Sequence, residues 1–151
     1  MFLSAQAHTT NPTTQSDRDM ANFDRERERE RILLVEDEEY ARELAALTLT
    51  KFALSCASNF DEGLRLAQQR DFDLYILDSW LPDKSGVELC RAIREFDTHT
   101  PILFYSAAAY ERDIEEALRA GAQDYLVKPV IPDELMRAVA QLISAPRETA
   151  G

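Results

Sequence analysis

The sequence predicts an α/β fold: a doubly wound, five-stranded parallel sheet with five helices on its two faces. Three observations predict it. Apolar runs such as Ile32-Leu33-Leu34-Val35 and Leu74-Tyr75-Ile76-Leu77 show no polar/apolar alternation, the pattern of strands buried on both faces. Segments with helical spacing of apolar residues separate the runs, and this succession makes the strands parallel, with right-handed crossovers. The runs stop at polar residues or turn signals: Glu36-Asp37, Asp78, Ser106 and Lys128-Pro129.

Taken in order, residues 1–23 are rich in Thr, Ser, Asn, Gln and Asp and lack periodicity, a composition that favours disorder. Residues 24–31 alternate Arg with Asp or Glu. Neither a helix nor a strand would bury apolar surface there, so 1–30 reads as a disordered, charged N-terminal extension, with a partner-binding arm as its functional alternative. Met20 is an alternative start. Order begins at Ile32. Acidic residues from Glu36 to Glu39 then suit the dipole of a first helix, with Tyr40, Leu44, Leu47 and, less regularly, Phe52 on its apolar side. A weaker strand spans 53–57. Asn59 or Ser58 caps a second helix carrying Phe60, Leu64 and Ala67. The central strand lies within 71–78. Ser85 and Glu88 form a capping-box pattern ahead of Val87, Leu89, Cys90 and Ile93. Pro101 opens a strand through Ser106, a position that tolerates proline. A fourth helix covers about 110–120 and stops at Gly121. Asp124–Val127 is the last strand. Pro132 opens a fifth helix bearing Leu135, Met136, Val139, Leu142 and Ile143. One domain over 31–145 results, with 146–151 as a flexible tail and no room for a second domain.

The chain is acidic. Its net charge is −11, and residues 1–31 nearly balance with five Arg against six acidic groups, so −10 falls on residues 32–151. That opposes direct contact with a phosphate backbone, and no direct nucleic-acid partner is expected, although acidity also serves solubility. No apolar run approaches the roughly 20 residues that span a bilayer, and the start lacks the basic leading region of a signal peptide. A cytoplasmic protein with no membrane partner is expected. Cys56 and Cys90 stand apart, with no CxxC and no His/Cys cluster, and read as small hydrophobes rather than a disulfide or zinc site.

All strands of a parallel sheet finish at the edge where ligands bind. That edge collects Glu36, Asp37, Asp78, Ser106 and Lys128. Singly, each also fits a bland role: an Asp that closes a turn or caps a helix, an acidic helix start, a turn serine, a solvated lysine. Their convergence supports a joint reading. Three close carboxylates repel unless compensated. A hard divalent cation compensates them, and Mg²⁺ takes one or two carboxylates while keeping room for a phosphoryl oxygen. A remaining Asp can attack phosphorus as a covalent nucleophile, and an ammonium and a hydroxyl stabilise the transferring group. Asp78 is then the nucleophile, Asp37 a direct metal ligand, and Glu36 a nearer or water-mediated one. Lys128 and Ser106 hold the phosphoryl oxygens.

Residues 32–144 resemble the receiver domain of bacterial response regulators in two-component signalling. The resemblance rests on Leu33-Leu34-Val35-Glu36-Asp37-Glu38, on Leu77-Asp78 with Leu81-Pro82-Asp83-Lys84-Ser85-Gly86, on Tyr105-Ser106-Ala107, and on the stretch from Ala120 to Pro129, in the family's order. It implies a flavodoxin-like sheet of order 2-1-3-4-5. It implies Asp78 as phosphoacceptor, with a histidine kinase or histidine phosphotransfer protein as donor. It implies Mg²⁺ at Asp37 and Asp78, with the main-chain carbonyl of Trp80 as a further ligand and Glu36 in the acidic pair. Lys128 would contact the phosphoryl group, and the bond before Pro129 is expected to be cis, at a cost small only for X-Pro. Ser106 and Tyr125 would form the switch that couples phosphorylation to the surface of the fourth helix, fifth strand and fifth helix, which a downstream protein reads. The domain would be a monomer or a weak, phosphorylation-dependent homodimer. It would not be an enzyme beyond Mg²⁺-assisted self-phosphorylation and autodephosphorylation.

Three departures from the family pattern stand out. Glu36 replaces the commoner Asp, Trp80 is bulky two residues after the phosphoacceptor, and Ala108 is small two residues after Ser106. The resemblance implies that the last two positions tune the lifetime of the phosphoryl group, and Trp80 is expected to screen Asp78 from water. The leading expectation is a stand-alone receiver that signals to a partner or relays phosphoryl groups. Two other classes compete. A phosphorylation-independent interaction module would leave the full acid set, Ser106 and Lys128 unexplained. A phosphohydrolase would need a water-activating acid, commonly where Trp80 stands.

Overall fold

The computed structural model describes residues 13–147. Parallel strands β1 (Arg31–Val35), β2 (Ala53–Ala57), β3 (Leu74–Leu77), β4 (Ile102–Ser106) and β5 (Asp124–Val127) lie in the order β2-β1-β3-β4-β5. The helices are α1 (Thr13–Glu28), α2 (Glu39–Thr48), α3 (Phe60–Gln69), α4 (Gly86–Arg94), α5 (Glu111–Ala120) and α6 (Pro132–Ser144). The expected doubly wound sheet and its 2-1-3-4-5 order are the ones observed, with six helices among the described residues rather than five.

The additional helix corrects the reading of the N-terminal extension. α1 covers 13–28, where a disordered, charged arm was expected. Arg and Glu are strong helix formers, and their alternation places opposite charges at i, i+3. Local propensity therefore supports a helix without an apolar face to bury. Residues 1–12 of that extension and residues 148–151 of the expected tail lie outside the described residues. Within the tail, the Arg147 guanidinium pairs with Asp73 at 2.8 Å.

The apolar runs lack alternation because both faces of the sheet are covered. Leu33 and Val35 of β1 join Tyr75 and Leu77 of β3 in the core beneath α3, α4 and α5. Ile32 and Leu34 join Leu74 and Ile76 beneath α2 and α6. Burying each such side chain contributes about 1.5–3 kcal/mol. Helix boundaries follow the local signals. Asn59 accepts the Glu62 N–H at 2.9 Å. Ser85 and Glu88 close a capping box. Pro132 opens α6, and Gly121 ends α5 with φ +119°, where a side chain would be strained.

Two sequence expectations fail on packing. Tyr40, Leu44 and Leu47 face solvent, at 65%, 47% and 76% exposure, while Ala45 and Leu49 are buried. The sheet side of α2 is built from a small residue, which hydropathy counting underweights against the larger outer stripe. Cys56 is exposed and Cys90 buried, because β2 is the edge strand and leaves one side uncovered.

Candidate functional site

Backbone pairing delivers the strand ends to one place. The register sets Val35 beside Leu77, Leu77 beside Phe104, and Ser106 beside Val127. The ladders run one residue further: the Asp78 N–H donates to the Val35 carbonyl at 3.0 Å, and the Lys128 N–H to the Ser106 carbonyl at 2.9 Å. Glu36 is anchored likewise, its N–H on the Ala57 carbonyl at 2.9 Å. Each residue that leaves the sheet here therefore starts from a fixed backbone position.

The structure brings together Glu36, Asp37, Asp78, Ser106 and Lys128. Glu36, Asp37 and Asp78 offer carboxylate oxygens within 4.8 Å of one another. Lys128 Nζ lies 2.8 Å from Glu36 Oε2 and 3.3 Å from Asp78 Oδ2. Ser106 is fully buried, and its Oγ accepts the Ala108 N–H at 3.2 Å. The Trp80 N–H donates to Asp78 Oδ1 at 3.3 Å, while the Trp80 residue is 63% exposed. The Tyr125 hydroxyl donates to the Ala108 carbonyl at 2.6 Å, and its ring stacks on Phe104 at 5.7 Å. The Lys128–Pro129 bond is cis, as expected.

Burial and the facing Asp78 push the Glu36 carboxyl up to about 7, against the pull of Lys128. Asp78 moves the other way. Burial raises it, but hydrogen bonds from Glu36 and Ser106, the Lys128 charge and the Trp80 N–H outweigh that and hold it below the usual carboxylate value. Burial lowers Lys128, and the two carboxylates more than restore it. Of the acidic pair, Glu36 therefore holds a proton more readily than Asp78, whose carboxylate lies beside the Lys128 ammonium.

The donor set suits a hard divalent cation, for it consists of oxygens with clustered negative charge. Asp37 is its exposed member. Glu36 Oε2 is engaged by Lys128, and Oε1 accepts the Glu38 N–H at 3.3 Å.

Four residues to which the sequence reading assigned no role shape the site, two of them, Asp83 and Gly86, within the motif after Asp78. Arg42 donates to the carbonyls of Glu36 and Asp37, both at 2.8 Å, and steadies the acidic turn; nothing in its spacing marks it. Asp83 accepts the Phe60 and Asp61 N–H groups at 2.9 and 3.2 Å, tying the loop after Asp78 to the start of α3. Gly86 packs against the Asp78 carbonyl, where a Cβ would lie 1.9 Å from the oxygen. Ser79 shares a hydrogen bond with the Tyr125 hydroxyl at 3.1 Å.

The family model for the response regulator receiver domain matches residues 32–140. The chain belongs to the response regulator receiver family. This receiver domain is 34% identical over 122 residues to the transcriptional regulatory protein ResD of Bacillus subtilis, covering 80% of this chain and 50% of the relative. It is 37% identical over 113 residues to the transcriptional regulatory protein AfsQ1 of Streptomyces coelicolor, covering 72% and 50%. The receiver domain thus spans about half the length of the curated relatives it matches. Among solved structures, a receiver domain protein from Methanospirillum hungatei is similar at 26% identity and TM-score 0.73, covering 76% of this chain and 93% of that one. A two-component response regulator from Clostridium difficile is similar at 26% identity and TM-score 0.72, covering 76% and 95%. Among the described residues of the receiver domain, no helix is long and apolar enough to cross a membrane.

Proposed function

We propose that this receiver domain accepts a phosphoryl group on Asp78 from a histidine kinase or histidine phosphotransfer protein, with Mg²⁺, and thereby alters the α5–β5–α6 surface for a protein partner. The supporting observation is Asp78 itself: a carboxylate only 7% exposed, held ionised, with the Lys128 ammonium at 3.3 Å and two further acids beside it. A carboxylate oxygen of Asp78 attacks phosphorus as the P–N bond of the donor phosphohistidine breaks, and the bond pair leaves on the imidazole nitrogen. Asp37 and Asp78 would hold the Mg²⁺, with Glu36 adjacent and the Trp80 carbonyl as a further ligand; bound there it offsets charge on the phosphoryl oxygens. Lys128 balances the same charge from the opposite side. Ser106 accepts the Ala108 N–H, and its one proton, directed at Asp78 before phosphorylation, would then pass to a phosphoryl oxygen.

Beside this edge, α2 presents Tyr40, Leu44 and Leu47 to solvent, flanked by Glu38, Glu39 and Glu43. An apolar strip with an acidic border suits a donor helix with an apolar face and a basic rim. On the output side, Ser106, Ala108 and Tyr125 connect Asp78 to β5. The domain is a switch rather than an enzyme, since Trp80 occupies the place of a water-activating acid and turnover is limited to its own phosphate. A cytoplasmic site fits its free cysteines and acidic surface. The relatives named as transcriptional regulators are matched over only about half of their length, so the stand-alone expectation is not carried forward. The charge of −10 on residues 32–151 keeps any nucleic-acid contact away from this domain.

The test is incubation with Mg²⁺ and acetyl phosphate, followed by intact-mass measurement. A lasting adduct that disappears in Asp78→Asn is the expected outcome. No adduct in the wild type would favour the binding-module reading, and rapid multiple turnover would favour a hydrolase.

A further inference from the structure

We infer that Ser79, the residue directly after the phosphoacceptor, is a positioning residue. Its hydroxyl holds Tyr125 turned in over Phe104 before phosphorylation and so raises the fraction of the domain poised to accept a phosphoryl group. The inference rests on Asp78 as the phosphoacceptor and goes beyond the Ser106–Tyr125 pairing.

The hydrogen-bond inventory fixes the direction of the contact. The Tyr125 hydroxyl has one proton, and it goes to the Ala108 carbonyl at 2.6 Å. In the 3.1 Å contact between Ser79 Oγ and Tyr125 Oη, Ser79 is therefore the donor. Its side chain is a rigid post. Ser79 is buried, its carbonyl accepts the Gly86 N–H at 2.9 Å, and the missing side chain of Gly86 leaves space only 3.1 Å from Ser79 Cα. Tyr125 thus bridges two loops. One begins at Asp78. The other follows β4, where the Ala108 N–H donates to Ser106 Oγ at 3.2 Å. The resulting chain of bonds, Ser79–Tyr125–Ala108–Ser106, joins the backbone beside the nucleophile to the hydroxyl that meets the phosphoryl group. The Phe104 ring stacks against the Tyr125 ring, their planes within 4° of parallel.

The consequence follows from linkage. Ser106 engaging a phosphoryl oxygen carries Ala108 with it, and the Ala108 carbonyl is the acceptor that keeps Tyr125 turned in. An arrangement that favours the phosphorylated state favours phosphorylation by the same factor. Without the Ser79 hydroxyl, Tyr125 keeps its bond to the loop after β4 and loses its tie to the loop of Asp78. The inward arrangement then becomes less populated in the unphosphorylated domain.

The test uses the full chain as wild type, Ser79→Ala, Ser79→Thr, Tyr125→Phe and the Ser79→Ala/Tyr125→Phe double variant. Two quantities are read: the rate of adduct formation from acetyl phosphate with Mg²⁺, by intact mass, and the ring signals of ¹³C-labelled Tyr125 without donor. Ser79→Ala is expected to slow adduct formation about three- to tenfold, the worth of one neutral hydrogen bond, and to move the Tyr125 signals toward those of a solvated ring. Ser79→Thr, which keeps a hydroxyl, should restore most of the rate. In the Tyr125→Phe background the Ser79→Ala change should have no further effect, because the partner hydroxyl is already gone. An unshifted Tyr125 signal in Ser79→Ala, or an equal slowing in the Tyr125→Phe background, overturns the inference. A wild type that gains no adduct overturns the phosphoacceptor reading instead, and the Tyr125 signals then still decide whether Ser79 holds the ring.

Discussion

Gly86→Ala puts a methyl group where backbone already sits. The added Cβ would lie 1.9 Å from the Asp78 carbonyl oxygen, 2.9 Å from its carbon and 3.1 Å from Ser79 Cα. Carbon ordinarily approaches a carbonyl oxygen to about 3.3 Å, so the two segments must separate by roughly 1.4 Å. Neither can swing aside as a side chain would. The Gly86 N–H bond to the Ser79 carbonyl, 2.9 Å in length, is stretched in the process. Overpacking of this kind costs about 1–3 kcal/mol, or about 3–12 °C of melting temperature for a domain of this size. The function should suffer more. The displaced carbonyl belongs to Asp78, the phosphoacceptor proposed above, and misplacing a reacting group by about 1 Å can cost roughly 100-fold in rate. Gly63→Ala is the control: its Cβ would meet Val35 Cγ2 at 2.9 Å, Val35 Cγ1 at 3.2 Å and Leu89 Cδ2 at 3.3 Å, all side-chain rather than backbone atoms. It should lower the melting temperature less and leave the rate near that of wild type. Thermal melts by circular dichroism and intact-mass time courses with acetyl phosphate measure both. A Gly86→Ala protein with wild-type stability and rate would refute the close-approach argument.

Two further predictions concern the charge balance and the phosphate lifetime. Lys128→Ala should slow adduct formation about 100-fold, yet tighten Mg²⁺ binding, because it removes the cation 2.8 Å from Glu36 and 3.3 Å from Asp78. Titrating Mg²⁺ against Trp80 fluorescence reads the second effect, and weaker binding would contradict the assignment. Trp80→Asn should shorten the life of the acyl phosphate by admitting water. The contact of residue 80 with Asp78 Oδ1 is made by the backbone N–H, so the variant keeps it and reports on the side chain alone; an unchanged or longer lifetime would rule out screening.

The strand ends were legible because each polar residue follows an apolar run directly, and a parallel sheet sends all such ends to one edge. The caps at Asn59, Ser85 and Gly121 were legible for a similar reason: donor and acceptor lie within a few residues of each other. Reading failed where the outcome hung on competition. At 24–28 the helix propensity of Arg and Glu prevails over the absence of an apolar face. In α2 the periodicity of Tyr40, Leu44 and Leu47 is genuine but lies on the outside, because Ala45 and Leu49 supply the buried contacts.

By itself the sequence determined the sheet with both faces covered, the helix ends marked by Asn59, Ser85, Gly121 and Pro132, and the set of acids, hydroxyl and lysine at one edge, because each depends on neighbours a few positions away. Tertiary structure alone decided how those groups meet. Glu36 and Lys128 pair across 92 positions and Ser79 and Tyr125 across 46. Asp83 reaches back to the amides that open α3. Such contacts depend on how closely packed backbones approach, at Gly86 above all, and no periodicity within one segment records that distance.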